Sequence, residues 1–249
     1  MDMKYMGSKS RIAKDIVPII QSYIDNSRIV ETYWEPFVGG ANIIDKIKCQ
    51  YRIGSDLNKY LIALLCHVRD GGELYESVTK ETYDAARDVF NTGDNIGFKD
   101  WQIGNIGFLA SYNGRFFDGG YAKPGYEKTK NGLRYRDYYK EALNNLLEQA
   151  PKLKEIDFIV SDYRKLEPHN CVVYCDPPYS NTKQYKNAIN FDYDEFWYYA
   201  AKWAKNNIVL VSELEAPEGW ECIWEKNVNR SINTANKANA IEKLFIRRD

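Results

Sequence analysis

The sequence has few of the residues that build metal sites and disulfide frameworks. Its 249 residues include two histidines, His67 and His169, which lie far apart and meet no zinc-ligand spacing, so we expect no bound metal. The cysteines are odd in number and lie mostly inside apolar runs: Cys49, Cys66, Cys171, Cys175 and Cys222. This pattern predicts buried thiols in a reducing compartment rather than disulfides.

Long apolar runs and an excess of charge are also missing. No stretch reaches the roughly 18 consecutive apolar residues of a membrane span, and the polar opening Met1-Asp2-Met3-Lys4 does not resemble a signal peptide. We therefore expect a cytoplasmic protein. The net charge of −1 does not by itself indicate a nucleic-acid partner, while a hydrophobic content of 44% predicts a folded core.

Short apolar runs alternate with helical periodicity at both ends of the chain, which predicts an α/β fold with a mainly parallel sheet. The predicted strands are residues 29–34, 50–55, 156–160, 171–175, 207–212, 221–228 and 241–246. Predicted helices there cover residues 11–23, 58–68 and 191–205, and Ser8 or Ser10 is the expected N-cap of the first helix.

The middle of the chain lacks this alternation. Helices are predicted at residues 79–90, 100–112 and 135–150, the last one ended by Pro151. We therefore predict an α/β core made of residues 1–68 and 154–249, with residues 69–153 inserted as a mostly helical region.

One predicted strand ends in an unusual way. Residues 171–175 are apolar and run directly into Asp176-Pro177-Pro178-Tyr179. Proline cannot continue a central strand, so Asp176 and Tyr179 should stand at the carboxyl edge of the sheet, where α/β proteins bind ligands. A carboxylate, a backbone carbonyl and an aromatic ring together can hold a flat heterocycle by its face and its amino group.

The first predicted strand ends at a glycine turn. Glu35-Pro36 is followed by Phe37-Val38-Gly39-Gly40-Ala41-Asn42, and a helix is expected from Ile43 onward. Glycine lets the backbone approach a ligand closely, and amides at a helix start point outward. Asp56 ends the next strand, where an acid suits ribose hydroxyls. A plain helix N-cap is the alternative for Asp56. The dinucleotide pattern G-x-G-x-x-G is absent, which argues against a nicotinamide dehydrogenase.

Residues 112–140 are locally basic despite the neutral average. Seven basic residues stand against three acidic ones, a net charge of +4, and six tyrosines are interleaved. The basic residues are Arg115, Lys123, Lys128, Lys130, Arg134, Arg136 and Lys140. Such a mixture fits a nucleic-acid surface, and a solvated loop with amphipathic tyrosines is the equally simple alternative.

These motifs, in this order, resemble the Dam-like DNA adenine-N6 methyltransferases. Lys4-Tyr5-Met6-Gly7-Ser8-Lys9 and Glu35-Pro36-Phe37-Val38-Gly39-Gly40 are similar to the family's two cofactor motifs. Further matches are Asp56-Leu57-Asn58, Ser161-Asp162-Tyr163, the catalytic Asp176-Pro177-Pro178-Tyr179 and a late loop at Arg230-Ser231-Ile232. The family often has a further glycine where this chain has Ala41, and the middle region is the least similar part.

The resemblance implies a Rossmann-like class I methyltransferase sheet with an inserted target-recognition region. It implies S-adenosyl-L-methionine as methyl donor, and N6 of an adenine flipped out of double-stranded DNA as acceptor. Catalysis then falls to Asp176, Pro177, Pro178 and Tyr179. Cofactor contacts fall to Tyr5, Lys9, Glu35, Pro36, Phe37, Gly39, Asp56, Asn58, Asp162 and Tyr163. DNA contacts are expected from Asn113, Arg115, Lys123, Lys128, Lys130, Arg134, Arg136 and Arg230.

Three alternatives stay open from the sequence. The acceptor could be cytosine N4, although such enzymes more often carry serine in place of Asp176, or an RNA purine. The chain could also be a catalytically silent DNA-binding module on the same scaffold. We expect a monomer or weak dimer in a bacterial or phage-infected cell, with no membrane association.

Overall fold

The computed structural model describes residues 2–94, 96–129, 132–178, 191–233 and 236–247; for residues 229–233 and 236–240 it describes the backbone alone. Its helices are α1 (Ala13–Asp25), α2 (Lys59–Arg69), α3 (Lys80–Thr92), α4 (Asp100–Leu109), α5 (Tyr138–Leu153) and α6 (Tyr193–Ala204). Its strands are β1 (Thr32–Glu35), β2 (Tyr51–Asp56), β3 (Gly125–Thr129), β4 (Gly132–Arg136), β5 (Ile156–Val160), β6 (Cys171–Cys175), β7 (Ile208–Glu213), β8 (Trp220–Asn233) and β9 (Asn236–Arg247).

The chain forms two compact units. The first consists of Met1–Arg11, Gly39–Lys46 and Asn58–Val160, and the second of Ile12–Val38, Ile47–Leu57 and Ser161–Asp249. Among the described residues, no helix is long and apolar enough to cross a membrane.

The second unit carries a mainly parallel sheet. Its strands lie in the order β2-β1-β6-β7-β9-β8. Strands β2, β1, β6 and β7 are parallel, while β9 pairs antiparallel with both β7 and β8. This arrangement confirms the α/β class. The alternation of apolar strands and helices was sufficient to predict it, because parallel neighbours need helical crossovers between them.

Strand β6 lies at the centre of this sheet, and all five of its residues are buried. It has β1 on one side and β7 on the other, and Phe196, Ala200 and Trp203 of α6 belong to the same apolar cluster as Val173. A strand covered in this way must be apolar throughout, which is why residues 171–175 gave such a clear signal in the sequence.

The first unit packs helices α2, α4 and α5. Asn58 directly precedes helix α2, and its Oδ1 accepts hydrogen bonds from the backbone amides of Tyr60 and Leu61 at 3.1 and 3.2 Å. Asn58, not Asp56, therefore caps this helix. Helix α4 crosses α2 closely: a Cβ on Gly104 would lie 2.2 Å from the Tyr60 carbonyl oxygen, so only glycine allows this approach.

Several boundaries differ from the sequence-based predictions. No α-helix follows the glycine turn; a single 3₁₀ turn, Ile44–Lys46, stands there, and the nearby isoleucines are buried as loop residues instead. Neither Ser8 nor Ser10 caps α1, because the 3₁₀ turn Lys9–Arg11 comes first and Ile12 takes the N-cap position.

Other differences fall in the second half of the chain. Pro151 does not end α5; it lies in the last turn, and the fully buried Leu153 beyond it holds that turn in place. Strands β3 and β4 form a hairpin that was not predicted. Strands β8 and β9 continue through the segment expected to be a loop, so Arg230 lies on a strand.

The cysteines are free thiols, as expected, but they are not all buried. Cys171 and Cys175 are buried in the sheet, Cys49 and Cys66 are partly buried, and Cys222 is exposed. Cys222 is exposed because it lies on β8, which is an edge strand of the sheet.

A buried glutamine organises the first unit around its glycine turn. Gln149 of α5 accepts a hydrogen bond from the backbone amide of Met3 at 3.1 Å. It donates to the carbonyls of Gly40 and Ala41, each at 3.1 Å, and to Asn42 Oδ1 at 3.2 Å. Ala41 has a φ of 56°, a left-handed conformation that favours glycine, so these bonds offset backbone strain of about 1–2 kcal/mol.

Replacing this glutamine should destabilise the protein severely. Gln149→Leu removes the partner of two backbone carbonyls, of Asn42 Oδ1 and of one backbone amide, so we expect a loss of about 2–4 kcal/mol in the free energy of unfolding. Asn144→Leu, an amide-to-leucine change on the exposed face of α5, is the matched control and should stay within about 0.5 kcal/mol. Urea denaturation measures both, and equal effects would contradict the assigned role of Gln149.

Candidate functional site

The parallel strands of the second unit end at one edge, and three acidic residues stand there. Glu35 is the last residue of β1, Asp56 is the last residue of β2, and Asp176 directly follows β6. Glu35 is paired in register with Gly54 of β2, and Val173 of β6 with Trp34 of β1. The strand direction thus gathers acids that are far apart in sequence, as expected for a ligand-binding edge.

The carboxylate of Glu35 is buried and held in place. Tyr33, two residues earlier on the same face of β1, donates a hydrogen bond from its hydroxyl to Glu35 Oε1 at 2.7 Å. Burial, with the charge of Glu35 as a second cause, raises the pKa of Tyr33 well above its ordinary value. The hydroxyl therefore stays protonated and acts as a donor that orients the carboxylate.

A cluster of aromatic side chains lies near these acidic residues. The ring of Phe37 lies 5.3 Å from that of Tyr163, and the rings of Phe191 and Phe196 lie within 5.9 Å of Phe37. The backbone amide of Ser161 donates to the Asp56 carbonyl at 3.1 Å. This bond ties the segment that carries Asp162 and Tyr163 to the end of β2. These contacts bring Phe37, Asp56, Asp162 and Tyr163 into one region of the second unit, with buried Pro36 next to Phe37, and their role toward a cofactor stays a prediction.

Sequence reasoning missed the partner of Asp162. Arg164 donates from Nε to Oδ1 at 2.9 Å and from Nη2 to Oδ2 at 2.5 Å, and its backbone amide also donates to Oδ1. The guanidinium holds the pKa of Asp162 below its ordinary value. In the sequence, this ion pair is indicated by a basic residue that stands two positions after the acid at the end of a strand.

The two residues directly before Asp176 bury a hydroxyl group and a thiol group, those of Tyr174 and Cys175. Burial raises the pKa of Tyr174 and Cys175, and the charges of Asp176 and Glu35 add to both shifts. The Tyr174 hydroxyl hydrogen-bonds Ser212 at 2.8 Å. Pro177 is buried, Pro178 is half-buried, and the carbonyl of Pro178 accepts a hydrogen bond from the Tyr193 hydroxyl. The predicted ring of Tyr179 lies outside the described residues.

Two buried acids near this edge were not predicted. Glu213 ends β7 and Glu242 lies on β9, and both are almost completely buried. Glu242 contributes to the raised pKa of Tyr174, so its charge acts on the surroundings of Asp176. Neither residue belongs to a recognisable motif, and only the strand pairing brings them to this edge.

The remaining cofactor candidates lie in the first unit. Tyr5 packs on the glycine turn, since a Cβ on either Gly39 or Gly40 would come within 2.9 Å of its side chain. Gly39 has a φ of 48°, which also favours glycine. Lys9 is buried, and Asn58 serves as the N-cap of α2.

The basic segment contains the β3–β4 hairpin, whose two faces differ. Tyr126 and Tyr135 are paired across one face, with ring centroids 5.3 Å apart, and Lys128 pairs with Leu133 beside them. All four are exposed; Tyr126 and Leu133 are 73% and 74% accessible. The opposite face carries Arg134, which is exposed and pairs in register with Glu127.

Arg136, at the base of this hairpin, is engaged in ion pairs. Its guanidinium donates to Glu141 at 2.5 and 2.9 Å and contacts Glu127 at 3.5 Å. Lys4 also bonds Glu141, at 3.1 Å. Asn113, Arg115 and Lys123 are exposed on the loop before the hairpin. Lys130 and the side chain of Arg230 lie outside the described residues.

The profile of one protein family matches residues 5–210, which is most of the chain and includes the strand-end acids. This chain belongs to the D12 class N6 adenine-specific DNA methyltransferases. The resemblance drawn from the ordered motifs is thereby confirmed.

Two curated proteins of similar sequence come from Vibrio cholerae serotype O1. DNA adenine methylases from its Classical Ogawa 395 and El Tor Inaba N16961 strains are each 26% identical to this chain over 194 residues. The alignments cover 72% of this chain and 64% of those proteins, so this D12 class chain matches less than two thirds of their length.

Two solved structures resemble the chain weakly. A provisional RNA methyltransferase from Pyrococcus horikoshii has 9% identity and a TM-score of 0.45, covering 98% of this chain and 87% of its own. Magnesium protoporphyrin IX methyltransferase from Synechocystis PCC 6803 has 10% identity and a TM-score of 0.38, covering 96% and 79%.

The Glu141 ion pairs predict a pH-dependent stability. Arg136, with help from Lys4, lowers the pKa of Glu141 to about 2. A carboxylate with a lowered pKa in the folded state stabilises the protein above its unfolded pKa, about 4.3, and loses that contribution as the pH falls toward 2. Because about a third of the Glu141 side chain is exposed, we expect only about 1 kcal/mol from it.

Glu141→Gln should therefore destabilise the protein at pH 6, and the difference from the wild type should shrink by roughly half or more at pH 3. Urea denaturation at the two pH values measures this. Glu76→Gln, at an exposed carboxylate, is the control. A Glu141→Gln effect that is the same at both pH values would contradict the linkage.

Proposed function

We propose that this chain transfers a methyl group from S-adenosyl-L-methionine to N6 of adenine in double-stranded DNA. The observation that carries the proposal is the placement of Asp176-Pro177-Pro178 at the end of buried β6, beside the acids that end β1 and β2. Membership of the D12 class supports the reaction type.

In the second unit, carboxylate acceptors and aromatic rings are chemically complementary to the parts of S-adenosyl-L-methionine. Glu35, oriented by Tyr33, suits a cationic ammonium group. Asp56 suits the ribose hydroxyls, and Asp162 the adenine amino group. Phe37 and Tyr163 provide an apolar wall for the adenine ring. For Tyr5, Lys9, Gly39 and Asn58, the cofactor role remains the one that the resemblance implies.

When bound, the cofactor supplies an electrophilic methyl group on a sulfonium centre. The amino nitrogen of adenine is a poor nucleophile, because its lone pair is delocalised into the ring. Asp176 and the carbonyl of Pro177 would each accept a hydrogen bond from one of its N–H groups, which localises the lone pair toward the methyl group. Once methylated, the nitrogen carries a positive charge and would lose one proton to solvent, which leaves a neutral N6-methyladenine. This is catalysis by positioning and electrostatics, without a covalent enzyme intermediate.

An adenine inside a duplex must leave the base stack before it reaches this edge, at a cost of a few kcal/mol. Stacking on Tyr179 would return about 1–3 kcal/mol of that cost. For the duplex itself, we propose the hairpin face of Tyr126, Lys128, Leu133 and Tyr135 as a contact surface. It combines aromatic rings with a cation, as nucleic-acid surfaces do.

A nucleoside assay tests the reaction. The protein is incubated with labelled S-adenosyl-L-methionine and unmethylated duplex DNA, and parallel samples contain RNA; the products are digested to nucleosides. We expect label in N6-methyl-2′-deoxyadenosine, from the DNA samples only. Label in N4-methylcytosine or in RNA, or no label from a protein that binds the cofactor, would overturn the proposal.

The proposed role of Asp176 predicts a separation of binding from transfer. Asp176→Ala should lower the rate of methyl transfer by about 10²–10³-fold or more, because a charged acceptor for the reacting amino group is lost. Cofactor affinity, measured by calorimetry, should change little. Asp157→Ala, at an exposed strand aspartate, is the control. An Asp176→Ala protein with full activity would refute this role.

The hairpin predicts different roles for two basic residues. Lys128→Gln should weaken duplex binding and flatten the slope of log K against log salt by about 0.9, the value for one phosphate contact. Arg136→Gln should chiefly lower stability, because Glu141 and Glu127 already hold that side chain. Fluorescence anisotropy across salt concentrations separates them, and an unchanged slope for Lys128→Gln would remove this face from the DNA surface.

A further inference from the structure

Arg164 is placed to control the acid that faces the proposed adenine pocket. Its guanidinium forms a two-pronged pair with Asp162, through Nε to Oδ1 and Nη2 to Oδ2. Nη1 reaches Glu195 Oε2 of α6 at 3.3 Å, so the arginine is fixed from two sides. Its carbon Cζ also lies 5.9 Å from the ring centroid of Tyr163.

The pairing with Arg164 leaves one acceptor position on the Asp162 carboxylate for a further donor. Oδ1 accepts from the backbone amide and from Nε of Arg164, which occupies both of its lone pairs. Oδ2 accepts from Nη2 and keeps one lone pair. An adenine amino group needs one acceptor, and a fixed carboxylate offers it without the entropy cost of ordering a free side chain.

We propose that Arg164 is a positioning residue that sets the selectivity of this pocket for an amino-bearing purine, acting through Asp162. The inference rests on the proposed function, because it requires the adenine of the cofactor to meet Asp162. Arg164 does not touch the cofactor. It fixes the direction of the remaining acceptor lone pair, and a ligand with a carbonyl oxygen in place of the amino group meets a carboxylate oxygen and is rejected.

A comparison of two ligands tests the inference on the full chain. Titration calorimetry compares S-adenosyl-L-homocysteine with S-inosyl-L-homocysteine, in which a carbonyl replaces the purine amino group and N1 carries a proton. We expect the wild type to prefer the adenosyl ligand by about tenfold or more. In Arg164→Ala the preference should fall to about threefold or less, mainly through weaker adenosyl binding.

Two further variants separate positioning from charge. Arg164→Lys keeps the positive charge but loses the planar fork, so its preference should fall as in Arg164→Ala. Lys165→Ala removes a neighbouring charge in the same turn and should keep the wild-type preference. Arg164 is half exposed, so these variants should fold, and thermal unfolding checks this.

The possible results separate a failure of the positioning role of Arg164 from a failure of the proposed function. A wild type that binds neither ligand overturns the proposed function, and a wild type that binds both equally overturns the adenine role of Asp162. A wild type that discriminates while Arg164→Ala discriminates equally well overturns the positioning role alone. Tighter adenosyl binding by Arg164→Ala also overturns it, because the arginine would then be a competitor for Asp162.

Discussion

The common direction of β1, β2 and β6 is the constraint on which the candidate site depends. Parallel neighbours present their carboxyl ends at the same edge, so the residue after each strand is delivered there whatever its distance along the chain. Glu35, Asp56 and Asp176 meet by this rule. The buried strand β6 pairs with β1 on one side and with β7 on the other, so its register with both neighbours sets where Asp176 stands.

Burial then decides which groups at this edge carry charge. Tyr33, Tyr174 and Cys175 are fully enclosed, and their raised pKa values keep them protonated at neutral pH. Glu35 and Asp176 both raise the pKa of Tyr174 and Cys175, so the two carboxyl groups act on the same buried neighbours. In the proposed reaction, the negative field of these carboxyl groups would attract the sulfonium cation of the methyl donor. This attraction would disappear once the methyl group has left, because the product is a neutral thioether. The same field would thus favour binding of the donor and release of the spent product.

The sequence was sufficient to predict the α/β class and the position of β6, because continuous apolar runs and proline stops report burial directly. It failed where tertiary contacts replace local signals. The isoleucine pattern after Asn42 reported burial, but a loop can bury isoleucine as well as a helix can. The partners Tyr33, Gln149 and Arg164 carry no motif, since they act by hydrogen bonds that exist only after folding. The sequence did not indicate the hairpin, because its exposed aromatic residues do not alternate with buried residues as in a half-buried strand.

A net charge of −1 is a poor guide to whether this chain binds a polyanion, because its charges are distributed unequally between pairs and surfaces. Glu141 is neutralised internally by Arg136 and Lys4, and Arg136 also contacts Glu127. These acids lower the total charge but contribute little repulsion at the hairpin tip, since a paired carboxylate projects a weaker field than a lone one. Lys128 remains exposed beside two tyrosines on the other face. Affinity for DNA depends on the phosphates that such exposed cations neutralise, and the sum over the whole sequence does not report that number.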